Sequence, residues 1–171
     1  MTKWVEKLLD VTAIGNDQSM LKGALANLAD RFDFVGYAFV NLRPGQAYAV
    51  SNYDLEWQKI YDQLDHRFID PVMRKAQLVK RAFAWSGEHD KGALSKEQKK
   101  YFSDASDFNI RSGVSIPVAT ANGAMSMLTF ASSKPVIAND TEIDAIMAAS
   151  AVSQLHTRIE FCGSLRLLRK R

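Results

Sequence analysis

Apolar residues recur along this chain at two different spacings, and the switches between them mark out its elements. Trp4, Val5, Leu8, Leu9 and Val11 follow helical spacing until Gly15-Asn16 interrupts the pattern. Asp17 stands where an N-cap belongs for a second helix with the apolar face Met20, Leu21, Ala24, Leu25 and Leu28. Strand-like stretches follow at Val35–Leu42 and Ala47–Ser51. Between them Arg43-Pro44-Gly45-Gln46 centres Pro then Gly, which suits a type II turn and reads as a hairpin. Helical spacing returns over Tyr53–Tyr61 and Pro71–Arg81, and a short strand is predicted around Ala82–Trp85. Ser95 with Gln98 has the form of a capping box for a helix through Phe108. Strands Ser112–Val118 and Ala124–Ser132 flank Ala121-Asn122-Gly123, where Asn-Gly is the strongest short hairpin signal. A long helix is predicted from about Asp140 to Phe161. Five strands, mostly hairpin-linked, with helices before, between and after, predict the α/β class. The expected architecture is an α/β/α sandwich: a central five-stranded antiparallel sheet with helices on both faces.

The same spacings sort the polar and aromatic residues. Tyr53, Trp57 and Tyr61 stand at i, i+4 and i+8, so a helix puts all three rings on one face. Asp70-Pro71 opens the next helix, and Trp85 follows an apolar run. On the second hairpin, Met125, Met127, Thr129 and Ala131 share one face, opposite Ser126, Leu128 and Phe130. Ser115 shares its face with Gly113 and Pro117. Indole donors, phenols and a carboxylate around an apolar cavity suit a small amphiphile with an amide and a ring carbonyl. Each residue also has a plainer explanation. Asp70 before a proline is a complete N-cap, and the cap competes with a ligand for the same oxygens. Trp57, Met127, Thr129 and Ser115 can equally be core.

Composition narrows the class without naming it. The 171 residues are 47% hydrophobic and 24% charged, a single globular domain. No apolar run reaches the length of a membrane span, and the lone Cys162 excludes an internal disulfide, so a cytoplasmic protein is expected. Arg166, Arg169, Lys170 and Arg171 account for four positive charges, so the +3 of the whole chain becomes −1 over residues 1–165. That body is not a basic surface that would track phosphates, and no specific DNA binding is expected. His66, His89 and His156 are scattered, no metal-ligand spacing occurs, and no Gly-x-Ser-x-Gly elbow marks a hydrolase. Neither catalysis nor a cofactor is expected.

Taken together, Trp85-Ser86-Gly87-Glu88-His89, Ala105-Ser106-Asp107-Phe108, Ile110-Arg111-Ser112-Gly113 and Gly113-Val114-Ser115-Ile116-Pro117 resemble the autoinducer-binding domain of LuxR-type quorum-sensing regulators. The similarity is to the TraR-type regulators of plasmid conjugal transfer, and it runs from about Trp4 to Phe161. It implies a PAS/GAF-like fold and an N-acyl-homoserine lactone ligand, here N-(3-oxooctanoyl)-homoserine lactone. By this resemblance Asp70 accepts from the ligand amide N–H, Trp57 donates to the lactone carbonyl and Tyr53 to the acyl carbonyl. Thr129 reaches the 3-oxo group through a water, and Ser115 contributes a second hydroxyl. Tyr61 and Trp85 supply packing more than polarity, and Ala38, Val72 and Met127 complete the lining. Val152, His156 and Ile159 on the last helix are expected to meet a partner helix. Residues 1–162 are thus expected to bind ligand and dimerise, and 163–171 to form a short basic tail without a DNA-binding domain. The expectation is a truncated regulator that represses by forming inactive mixed dimers with a full-length TraR-type activator. The alternatives are an excised domain of an activator, or a PAS/GAF-like sensor of another small molecule.

Overall fold

The computed structural model describes residues 18–43, 46–119 and 125–137. The helices expected at Trp4–Val11 and Asp140–Phe161, with Asp17, Val152, His156, Ile159, the two turn centres and the basic tail, lie outside the described residues. Helix α1 spans Gln18–Arg31, β1 Gly36–Arg43, β2 Gln46–Ser51 and α2 Leu55–Gln63. Then come a short 3-10 turn at His66–Phe68, α3 at Pro71–Val79 and β3 at Phe83–Ser86. A second 3-10 turn at His89–Ala93 leads to α4 at Lys96–Ser106, β4 at Ser112–Ala119 and β5 at Met125–Ser132.

Caps set the helix bounds, and they correct two sequence expectations. The Asp54 carboxylate accepts from Glu56 N at 2.8 Å, so α2 begins after Tyr53 and not at it. Helix α3 stops at Val79 because Lys80 is left-handed at φ 50°, two residues short of the expected Arg81. Ser95 and Gln98 form the expected capping box at the start of α4.

The five strands form one antiparallel sheet in the order β2-β1-β5-β4-β3. Its two faces are built from residues of different size. Tyr37, Phe39, Val114, Ile116, Leu128 and Phe130 fill one face and pack on Leu25, Leu28 and Ala29 of α1. The other face carries Trp57 of α2, Val72, Met73 and Ala76 of α3, and Tyr101, Phe102 and Ala105 of α4. Helices therefore cover both faces of the sheet, as the sequence predicts.

The register shows why the second face leaves a space. Gly36, Ala131 and Gly113 stand in one row across the sheet, and Ser51, Ala38, Thr129 and Ser115 in the next. Small side chains at the middle of the sheet cannot reach the helices above them, so packing stops short of closure. Ser51, Ala38 and Thr129 of these rows stay open beneath the helices as a floor, while Tyr53 covers Gly36 and Trp85 covers Gly113 and Ser115.

Candidate ligand-binding site

Between this floor and helices α2, α3 and α4 lies a cavity of about 430 Å³. Its walls include Tyr53, Trp57, Tyr61, Asp70, Trp85, Thr129, Ala38, Val72 and Met127. The structure thus brings nine of the residues singled out from sequence around one space. Ser115 is not on the cavity wall. It is fully buried behind Thr129, and its Oγ lies 2.7 Å from Thr129 Oγ1 and accepts from Trp85 Nε1 at 3.0 Å. Alternation put Ser115 on the correct face, but the Trp85 indole covers it.

Trp85 and Tyr61, expected to supply packing more than polarity, each also make a side-chain hydrogen bond. Trp85 is a buried hydrogen-bond donor, and the Tyr61 hydroxyl donates to Asp70 Oδ2 at 2.9 Å. Asp70 divides its oxygens. Oδ1 accepts from Val72 N at 2.8 Å and Met73 N at 3.2 Å as the N-cap of α3, while Oδ2 takes the phenol. Capping and ligand binding therefore need not compete for one atom. Burial raises the Asp70 pKa, against the opposing hydrogen bonds of Tyr61, Met73, Val72 and Tyr101. A further N–H from an occupant would join the bonds that favour the carboxylate.

Tyr53, although it precedes α2, is held firmly. Its N–H donates to Ser51 Oγ at 3.0 Å and its carbonyl accepts from Gln58 Nε2 at 2.8 Å. Its ring lies over Gly36, where a Cβ would come within 2.9 Å of Tyr53 Cδ1. The buried Tyr53 hydroxyl has no hydrogen-bond partner among the described residues. Burial, with the Asp70 charge beside it, pushes its pKa upward, so it remains a neutral donor.

Several wall residues were not legible from sequence. Tyr101 of α4 is buried against Trp57, with ring centroids 5.6 Å apart, and burial and Asp70 raise its pKa. It lies on the apolar face of α4 with Phe102 and Ala105, so by pattern it was ordinary core. Gln58, Asp62 and Arg67 add polar atoms to the wall, and nothing in their spacing marks them. His66, buried among Trp57, Tyr61 and Tyr101, has its pKa lowered chiefly by burial.

Gly113 is required by the same geometry. A Cβ there would stand 2.3 Å from Trp85 Cζ2 and 2.3 Å from the Phe130 carbonyl oxygen. Gly113→Ala is therefore expected to push the indole off its seat and lower stability by roughly 1–3 kcal/mol, the ordinary range for overpacking. Urea unfolding followed by tryptophan fluorescence checks this; an unchanged midpoint would mean the strand shifts freely.

A largely apolar cavity with five aromatic side chains, a carboxylate and neutral donors on its wall, between a sheet and its covering helices, defines a small-molecule-binding sensor domain. Among the described residues no group of acidic, histidine or cysteine side chains could hold a metal, and no helix is long and apolar enough to cross a membrane. Residues 17–159 match the family described as the autoinducer binding domain, and the chain belongs to that family. It is 47% identical over 161 residues to the transcriptional activator protein TraR of Rhizobium radiobacter, a match covering 94% of this chain and 69% of that protein. Its fold is similar to the N-acylhomoserine lactone dependent LuxR family transcription factor CepR2 from Burkholderia cenocepacia. That likeness has a TM-score of 0.75 at 17% identity, and covers 88% of this chain and 90% of the other. A phycoerythrobilin-bound GAF domain from a cyanobacterial phytochrome shares the fold more distantly, at TM-score 0.59 and 7% identity over 92% of this chain and 94% of the other. The chain is thus an autoinducer-binding domain of the regulator type, related to transcriptional activators and not to enzymes.

Proposed function

We propose that this chain binds an N-acyl-homoserine lactone in the cavity, with its head between Asp70, Tyr53 and Trp57. Asp70 accepts the amide N–H, Tyr53 donates to the acyl carbonyl and Trp57 to the lactone carbonyl. The acyl chain, 3-oxooctanoyl by similarity to TraR, runs along Ala38, Val72 and Met127 toward Thr129, with Tyr61 and Trp85 packed beside it. The observation that carries this reading is the buried Tyr53 hydroxyl without a partner among the described residues, beside Asp70, whose Oδ2 takes no part in the helix cap. A neutral donor next to an acceptor is the complement of a secondary amide. The test is to purify the chain from cells grown with N-(3-oxooctanoyl)-homoserine lactone and extract it for mass spectrometry. Recovery of one lactone per chain is expected. A different lipophile would point to a sensor of another molecule, and an empty extract would remove the reading.

The regulatory role proposed is that of a cytoplasmic antagonist in plasmid conjugal transfer. Residues 1–162 bind ligand and pair through Val152, His156 and Ile159, with a second copy or with a full-length TraR-type activator; the tail 163–171 reads no DNA. Where these 171 residues are the whole gene product, a mixed dimer carries one DNA-binding module and cannot occupy a two-fold operator. Co-expression is then expected to repress a target promoter in proportion to the ratio of the two proteins, since half the phosphate and base contacts are lost. Excess autoinducer should not restore expression. Full rescue by ligand would show sequestration, and activation in place of repression would show the domain of an activator.

A further inference from the structure

The buried Trp85–Ser115–Thr129 chain has a direction that its chemistry determines. An indole N–H only donates, so Ser115 Oγ accepts from Trp85 at 3.0 Å. Ser115 has no solvent exposure, and among the described residues its own proton has one acceptor within reach, Thr129 Oγ1 at 2.7 Å. Leaving that proton unpaired in a buried site would cost about 1–3 kcal/mol. Ser115 therefore donates to Thr129. The Thr129 proton then has no acceptor among the described residues, and Thr129 lines the cavity.

We propose that Trp85 and Ser115 are positioning residues that fix Thr129 as a hydrogen-bond donor toward the cavity, so that the pocket selects an acyl chain with a carbonyl acceptor there over one with a methylene. This rests on the lactone reading above. It deepens that reading by assigning selectivity to two residues, one of them behind the wall, that act through a third. Without the indole, Ser115 can accept from Thr129 and turn its donor away from the ligand; without the Ser115 hydroxyl, nothing donates to Thr129 Oγ1, and its rotor is no longer held with the proton toward the ligand. Gly113 belongs to the device, because only a residue without Cβ lets the indole cross the strand to Ser115.

The experiment is a competition. Cells expressing the chain are grown with an equimolar mixture of N-(3-oxooctanoyl)- and N-octanoyl-homoserine lactone, and the ligands retained by the purified protein are quantified by mass spectrometry. The unaltered chain should retain an excess of the 3-oxo compound. Trp85→Phe and Ser115→Ala should each lower that ratio about threefold to tenfold, the worth of one hydrogen bond. Thr129→Ser should preserve it and Thr129→Val should remove it. Should Trp85→Phe not fold, Ser115→Ala, which loses a single oxygen, decides the matter. Loss of packing alone would lower retention of both compounds by the same factor, and an unchanged ratio in Ser115→Ala overturns the proposal. So does an unaltered chain that retains both equally. Retention of neither compound overturns the lactone reading as well, which separates the two failures.

Discussion

Replacing Asp70 by alanine is expected to abolish ligand retention and to lower stability by about 2–4 kcal/mol. Two losses add. The first turn of α3 loses the acceptor for Val72 N and Met73 N, worth about 1 kcal/mol for an N-cap. The half-buried Tyr61 hydroxyl on the cavity wall loses its partner, at a cost of roughly 1–3 kcal/mol. For a domain of this size the melting temperature should fall by roughly 5–15 °C. Asp70→Asn separates the roles. Its amide oxygen can still cap α3, but its amide nitrogen is a donor turned toward donors. Most of the stability should survive, while lactone retention drops tenfold or more, about 1.4 kcal/mol. Thermal melts with quantified ligand extraction check both variants. Retained ligand in Asp70→Asn would place the amide elsewhere.

The second large effect expected is that of the ligand on the fold. The cavity of about 430 Å³ lies between the sheet and three helices, and the sheet side is too small-chained to fill it. Without an occupant, the aromatic wall loses contact partners and the Tyr53 donor stays unsatisfied. A ligand that binds only the folded state stabilises it by about 4 kcal/mol at a thousand times its Kd. That corresponds to roughly 8–16 °C in melting temperature. Soluble yield should rise with autoinducer in the growth medium. Equal yields and equal melting temperatures with and without 3-oxooctanoyl lactone would mean that the empty cavity is already stable.

Tyr53 shows where reading the chain locally reaches its limit. Its spacing to Trp57 and Tyr61 predicts a shared helical face, and all three do line the cavity. Yet with Asp54 as its cap the helix starts two residues later, at Leu55, and Tyr53 is held by Ser51 and Gln58. The periodicity indicated the right neighbourhood by the wrong means.

What the sequence by itself determined is what short-range chemistry controls. The Asp70-Pro71 cap, the Ser95–Gln98 capping box and the alternation of Met127 and Thr129 against Leu128 and Phe130 each depend on residues within a few positions. The five-stranded antiparallel sheet and its covering helices follow from such patterns. The tertiary structure alone decided which distant residues meet. Ser51, Ala38 and Thr129 form one row only through the pairing of β2, β1 and β5, and that row floors the cavity. Tyr101 reaches the Asp70 cluster from another helix, and Trp85 crosses Gly113 to cover Ser115 from 30 residues away. Local propensity carries no information about such contacts, because the energy that selects them comes from burial across the sheet.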